Sequence, residues 1–409
     1  MCWLAIIDWK KMATAEISHN STNQLEKAEK SKASRVFFPN LDGLRFIAFF
    51  LVFLQHGFGR LPNFLMLRNF PDIITIPVRK IFSLGGLGVS FFFVLSGFLI
   101  TFLILTEIKQ NGRLDVLSFY VRRTLRIWPL YYLVLLVAFF LYPAAKGMFG
   151  YDPYIESGHP IWYFTFLSNF DIMQHPDNNH GAMSTNITWS VAIEEQFYLA
   201  WPLLFFFIRP KQYRYIFPSV ILLSFIFRVL NHGNGMVLYY HSLSVIGDMA
   251  LGGMLAYVWL QSPKFRTFVS KMSTTFILSV YLFGLMLIFY GERIFQIFQV
   301  PGMDRLMYTL FFGFIIAEQN FATNSLLKMS RLSAITYWGK YTYGLYLLHP
   351  LAIQLTIVIW RLTAPSSDGL IKTIVMGGFA LIVSLVCSFA SYYWFENKFL
   401  KLKNRFTRI

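Results

Sequence analysis

One imidazole, a pair of adjacent carboxylates and a cluster of guanidiniums stand inside or at the edge of long apolar runs, where ionisable groups raise the free energy and are kept for a purpose. The first run carries Arg45 and His56, eleven residues apart. On a helix that is about three turns, ~16 Å of rise, so both lie on one face, with Arg45 at the cytoplasmic mouth and His56 near mid-membrane. Histidine titrates near neutrality, which suits His56 to accept a proton from an attacking hydroxyl. A packed, hydrogen-bonded neutral imidazole is the alternative reading. Glu194 and Glu195 lie about two turns inside another run. Neighbouring positions on a helix are ~100° apart, so the two carboxylates cannot face the same partner, and at least one is expected to point into a polar cavity. It would either tie helices together or orient an imidazole or bind a sugar hydroxyl.

Arg122, Arg123 and Arg126 cluster at the start of a third run, with Arg123 and Arg126 sharing a face by their i,i+3 spacing. They fit a topology signal, or a site for the phosphates of a cytoplasmic ligand, since guanidinium forks match phosphate oxygens. Asp248 is an intramembrane acid beside Gly247, Gly252 and Gly253, and His349 sits near mid-depth in the stretch Tyr343–Pro350. Gly85-Gly-Leu-Gly88 and Ser96-Gly97 permit close helix approach. A nucleotide-loop reading fails for want of a strand before a helix. Nothing in the Cys and His spacing suggests a metal, and no Gly-x-Ser-x-Gly elbow suggests a hydrolase.

The elements that position these groups follow from composition. Of 409 residues, 56% are hydrophobic and only 14% charged, and the mean hydropathy is +0.51. Soluble domains carry nearer a quarter charged residues, so an all-α, polytopic membrane helix bundle is expected. Apolar runs fall near 43–60, 84–106, 125–143, 188–208, 214–230, 239–260, 274–291, 305–319, 336–360 and 371–395, about ten spans at ~20 residues each. The run at 161–170 reads as a re-entrant or interfacial piece. With both termini placed in the cytoplasm, most of the 36 Lys and Arg fall on inner segments, as the positive-inside rule requires. The net charge of +16 therefore speaks for orientation and anionic lipid contact, not for nucleic acid, because no single basic patch collects it.

Three parts are expected: a polar, mobile cytoplasmic tail at 1–37, a membrane domain at 38–400, and a basic cytoplasmic tail at 401–409. No cleavable leader is evident in the polar first 35 residues. Segment 144–187, with four acids, three histidines and several Pro and Gly, is expected as an ordered external loop. Cys2 and Cys387 lie at opposite ends of the chain and imply no disulfide framework.

Seven stretches in order resemble the acyltransferase-3 family of membrane proteins. They are Leu41-Asp-Gly-Leu-Arg45 followed by His56, Gly88–Ile100, Arg123-x-x-Arg126 running into Ile-Trp-Pro129, Trp189–Tyr198, Gly247–Gly253, Tyr343–Pro350 and Tyr393–Lys398. Together they cover nearly everything from about 38 to 400. The resemblance implies ten helices and an acyltransferase moving groups other than aminoacyl groups. Its donor would be acetyl-CoA or another acyl-CoA, used from the cytoplasm as a substrate, with no tightly bound cofactor. The acceptor would be a carbohydrate hydroxyl at the outer side, on a cell-surface polysaccharide or lipopolysaccharide. His56 resembles the family's catalytic histidine, and Arg45, Arg123 and Arg126 its required arginines. The chain's end soon after its last helix resembles the stand-alone form without an extracytoplasmic esterase-like domain.

The expected site therefore has His56, Glu194 and Glu195 as catalytic groups and Arg45, Arg122, Arg123 and Arg126 at the donor. Asp42, Ser96, Trp189, Asp248 and His349 are candidate substrate contacts. Glu194 or Glu195 would orient His56, and a covalent acyl-enzyme on Ser96 or His56 is the variant route. The expected location is the inner (cytoplasmic) membrane, multi-pass, with lipids as neighbours and an oligomer or partner protein left open. The competing class is a transporter or lipid-linked-sugar flippase using the same intramembrane His and Glu.

Overall fold

The computed structural model describes residues 38–148, 158–175, 185–298, 300–363 and 369–406, all within one unit, Phe38–Thr407. The tail expected at 1–37, residues 407–409 and parts of the segment 144–187 lie outside the described residues. Every regular element among the described residues is helical. In chain order these are α1 (Pro39–Gly57), α2 (Arg60–Leu67), α3 (Asp72–Phe82), α4 (Gly85–Asn111), α5 (Val116–Leu136), α6 (Tyr142–Met148), α7 (Pro160–Phe164), α8 (Ser168–Gln174) and α9 (Thr188–Phe207). Then follow α10 (Tyr213–Leu230), α11 (Gly235–Tyr240), α12 (Ser242–Gln261), α13 (Pro263–Ser270), α14 (Thr274–Phe298), α15 (Met303–Phe321), α16 (Ser333–Gly339), α17 (Thr342–Thr363), α18 (Leu370–Ser391) and α19 (Asn397–Lys403).

Helices occupy all ten stretches where apolar runs were expected, but length and composition qualify fewer of them. Seven among the described residues are long and apolar enough to cross a membrane, eight if the pair α1 and α2, bent by 51°, is one span. The two long helices that fall short, α9 and α15, are diluted by Glu194, Glu195 and Gln196 and by Asp304, Arg305 and Glu318. Three of those residues are drawn into the cavities described below. His56 is in the last turn of α1, just before the bend.

Local signals explain the element ends. Asp115 caps α5 by accepting from the Ser118 N–H at 3.0 Å, and Gly112 ends α4 in the left-handed conformation (φ 74°) that favours glycine. Where α4 crosses α12, the backbones nearly touch. A Cβ on Gly97 would lie 1.8 Å from the Met249 carbonyl oxygen, and one on Gly252 would lie 1.9 Å from that of Val94. Only glycine fits at either position, the small-residue contact typical of membrane bundles.

That crossing puts α4 at the centre. The most apolar stretch of Asp72–Asn111 is 72% buried, against 17% for Leu370–Phe406 at the edge. Outer helices turn leucine, isoleucine and phenylalanine outward, among them Leu222, Ile226, Leu282, Phe283, Ile374 and Ile382. An apolar belt of this extent matches hydrocarbon rather than water. The expected interfacial piece at 161–170 is the short pair α7 and α8. It is anchored by the Gln196 side-chain amide, which donates to the Phe166 carbonyl at 2.8 Å and to Asn169 Oδ1 at 2.9 Å.

Candidate functional site

Three cavities follow one another along α4, each sharing lining residues with the next. The inner one, of about 350 Å³, collects Arg45 from α1, Ser96 from α4, Arg123 and Arg126 from α5, and Glu194 from α9. Lys340, Lys403 and Glu396 close it from the C-terminal part of the chain. Glu396 reaches it from a π-helical turn, Tyr392–Glu396, a local rewinding often found at functional positions. Glu194 accepts from Ser96 Oγ at 2.8 Å and from Tyr198 OH at 3.0 Å. Arg45 is ion-paired with Asp42 on its own helix. Arg123 and Arg126, by contrast, form no ion pair among the described residues, although Glu194 lies within electrostatic reach of both and Glu396 within reach of Arg126. The Arg123 guanidinium instead lies 5.5 Å and 5.8 Å from the Phe119 and Tyr198 ring centroids, and its Nε is buried without a hydrogen-bond partner. Unmatched guanidiniums at a cavity wall are ready to receive an anion.

The middle chamber, of about 160 Å³, is lined by Gln55, His56, Asn186, Trp189, Tyr239 and Tyr346. Val89 and Tyr346 also line the inner cavity, so these two side chains stand where the spaces meet. The Tyr346 hydroxyl shares a 2.7 Å hydrogen bond with Ser190. Gln55 Oε1 and Asn186 Oδ1 are buried acceptors with no hydrogen-bond partner. Such orphans are rare in folded proteins, and here both belong to residues that line one chamber, the Gln55 oxygen packing against Gly85. His56 Nδ1 lies 2.8 Å from His349 Nε2. The ring planes are 9° apart with centroids at 5.1 Å. That separation matches the nitrogen–nitrogen distance plus two ring radii, so the imidazoles meet edge to edge in nearly one plane, as a ring N–H···N bond requires.

The outer cavity, of about 1030 Å³, lies beyond Tyr239, which lines it as well as the chamber. Its cations are matched one by one. Lys80 meets Glu292 at 3.0 Å, Arg228 meets Asp304 at 3.9 Å, and Arg305 meets Asp248 at 2.6 Å. Tyr239 and Tyr308 add ring faces between them.

Several expectations about single residues change. Arg122 is not at the inner cavity: it pairs with Glu107 at 2.8 Å and donates to the Phe406 carbonyl. Glu194 and Glu195 diverge, as two adjacent helix positions must, and Glu195 accepts from Trp128 Nε1 at 2.8 Å away from all three cavities. Neither carboxylate is hydrogen bonded to His56, so the expected orienting acid is replaced by His349. Asp248 is 3% exposed and held by both Arg305 nitrogens and Thr309. It ties α12 to α15 and lines none of the three cavities. His349 is fully buried behind His56. Asp42, Ser96 and Trp189 do line the series.

Sequence reasoning missed Tyr198, Tyr239, Tyr346, Arg305 and Glu396. Three of them carried a local signal, since Tyr198, Tyr346 and Glu396 lie inside stretches already singled out, Tyr346 one turn before His349. Among the described residues, no group of three or more His, Cys, Asp or Glu is arranged to hold a metal ion.

The acyltransferase-3 family model, described as an acyltransferase domain, matches residues 38–393. The chain is 29% identical over 355 residues to the peptidoglycan O-acetyltransferase OatA of Listeria monocytogenes, covering 82% of this chain and 52% of that protein. It is 28% identical over 353 residues to a putative O-acetyltransferase of Staphylococcus aureus strain COL, covering 81% and 52%. Against the O-acetyltransferase OatA of Staphylococcus aureus strain NCTC 8325 it is 27% identical over 348 residues, covering 80% and 52%. The chain thus spans about half the length of the curated relatives it matches. No solved structure matches it.

Proposed function

The chain belongs to the acyltransferase-3 family, and from that premise we propose that it is a multi-pass membrane O-acetyltransferase carrying acetyl from cytoplasmic acetyl-CoA to a carbohydrate hydroxyl presented outside. The observation that carries this reading is the position of His56 in a small chamber between a cavity with unmatched arginines and one whose charges are paired. Phosphates of CoA suit Arg123 and Arg126, whose forks form no internal ion pair among the described residues, with Arg45 beside them. A neutral, hydroxyl-rich sugar suits the outer cavity, where aromatic faces alternate with paired donors and acceptors.

In this mechanism the thioester end passes Tyr346 and Val89 into the chamber. The sugar hydroxyl enters past Tyr239 into a chamber that Gln55 and Asn186 also line. His56 Nε2 takes the hydroxyl proton as the oxygen bonds to the acyl carbon. The C–S bond then breaks, and CoA leaves as the thiol with the proton that His56 returns. General base catalysis of this kind contributes about 10²–10⁴-fold. Two substrates meeting in the middle spare either polar partner a full crossing. In this reading the termini are cytoplasmic and the bundle has ten spans, α9 and α15 included, in the inner membrane. A relative's name directs the first acceptor panel to peptidoglycan fragments, alongside lipopolysaccharide and exopolysaccharide oligomers.

The test is acetyl-CoA turnover by the protein in nanodiscs, read as free CoA thiol, with and without the glycan panel. Acceptor-dependent release that falls 10²–10⁴-fold in His56→Ala, with folding intact, is the expected result. Release that survives in His56→Ala would remove His56 from the chemistry. Glycan bound and moved across a vesicle membrane with no need of acetyl-CoA would replace the transferase by a transporter.

A further inference from the structure

We propose that His349 is a positioning residue that locks His56 in the tautomer whose Nε2 lone pair faces the chamber, an inference that rests on the acetyl-transfer reading for its chemistry but not for its geometry. His349 Nδ1 lies 2.7 Å from the Tyr346 carbonyl oxygen and 3.3 Å from that of Leu345. A carbonyl oxygen only accepts, so Nδ1 of His349 carries the proton. The ring is fully buried and pairs with no carboxylate among the described residues, so it is neutral and its Nε2 is a lone pair. That lone pair is 2.8 Å from His56 Nδ1, which must therefore be an N–H donor. The neutral His56 ring then has one basic atom left, Nε2.

The orientation follows from the same contact. With the Nδ1 edge of His56 against His349, the open surface of this exposed side chain is the opposite edge, on the chamber it lines. The chain Tyr346 C=O, His349, His56 thus does for this imidazole what a buried carboxylate does elsewhere. It fixes ring and tautomer, and it supports the positive charge that appears when Nε2 takes a proton. Unlike a carboxylate, it adds no negative charge to a bilayer interior. Phe49 and Phe53 hold the His349 ring at centroid distances of 5.8 and 6.2 Å, so the partner cannot swing away.

The experiment has two arms. In the first, the wild-type chain labelled with ¹⁵N-histidine is read by solid-state NMR in nanodiscs at neutral pH, with His56→Ala assigning the signals. Two neutral rings protonated at Nδ1, joined by an N–H···N coupling, are expected. A His56 ring protonated at Nε2, or no coupling, overturns the proposal whatever the protein's activity. In the second, His349→Phe lowers kcat by about 10- to 100-fold, the range seen when groups supporting a catalytic ligand are removed. KM for acetyl-CoA stays unchanged, and His349→Gln, which retains an acceptor for the His56 N–H, recovers part of the loss. Equal kcat in wild type and His349→Phe overturns the positioning role. Absence of acetyl-CoA turnover in the wild type sinks the transferase reading instead, and leaves the first arm to decide the tautomer.

Discussion

The inner and outer cavities contain similar residues and differ in how the charges are matched. In the inner cavity Arg123 and Arg126 form no ion pair among the described residues, and Glu194, the acid nearest both, is hydrogen bonded by the hydroxyls of Ser96 and Tyr198. In the outer cavity each cation of the wall has its own acid. A buried charge without a partner is costly; Arg123, whose Nε is buried without a hydrogen-bond partner, is such a case, while Arg126 is exposed. The difference teaches that arginine count alone does not mark a phosphate site; the unpaired remainder does. Arg228 and Arg305 are as arginine-like as Arg123, yet their charges are already answered within the protein.

The largest effect expected on this comparison comes from unmatching the outer cavity. Asp248→Asn keeps the shape of the side chain but leaves Arg305 without its counter-charge. Breaking a buried pair from one side destabilises by about 3–5 kcal/mol, so a lower unfolding midpoint is expected in detergent, readable by intrinsic tryptophan fluorescence. The double change Asp248→Leu with Arg305→Met removes both charges and should restore most of it. If the single variant unfolds like wild type, the pairing is decorative and the contrast between the cavities loses its physical basis.

Next comes the inner cavity. Arg126→Ala removes one fork from a phosphate ligand, a charge-assisted contact worth about 1.5–3 kcal/mol. CoA affinity by calorimetry is expected to fall roughly ten- to a hundredfold, since every 1.4 kcal/mol is tenfold. The thermal midpoint should hold or rise, because a like charge beside Arg123 is gone. The opposite signs on stability in the two cavities are the sharpest statement of the difference. Unchanged CoA affinity would move the donor site elsewhere.

These contrasts show where sequence reasoning reaches and where it stops. The helices were legible because apolar runs have a period and a length, and the divergence of Glu194 and Glu195 followed from helix geometry alone. Glycines at 97 and 252 read as contact points and prove to be touching backbones. The candidate site was half legible: Arg45, His56, Ser96, Arg123, Arg126, Glu194 and Trp189 do line connected spaces. What was not legible is who meets whom across the bundle. Nothing local says that His56 bonds a histidine 293 positions away, or that Asp248 finds Arg305 57 positions on. Arg122 was misassigned for the same reason. Its i,i+4 partner positions look open in sequence, while Glu107 on the preceding helix claims it.

The smallest effect belongs to Lys80 and Glu292, and it bounds the argument. This pair also lies at the outer cavity, but Glu292 is 81% exposed against 4% for Asp248. Water already solvates such a carboxylate, so a surface pair contributes only about 0–1 kcal/mol. Lys80→Ala is therefore expected to leave the unfolding midpoint within error and to change acceptor-dependent CoA release no more than a few-fold. It should be weaker still in high salt, where exposed charges are screened. If Lys80→Ala were as damaging as Asp248→Asn, matching would not scale with burial. A direct contact between Lys80 and the acceptor would then be the better account, which a sugar-dependent rather than salt-dependent loss would reveal.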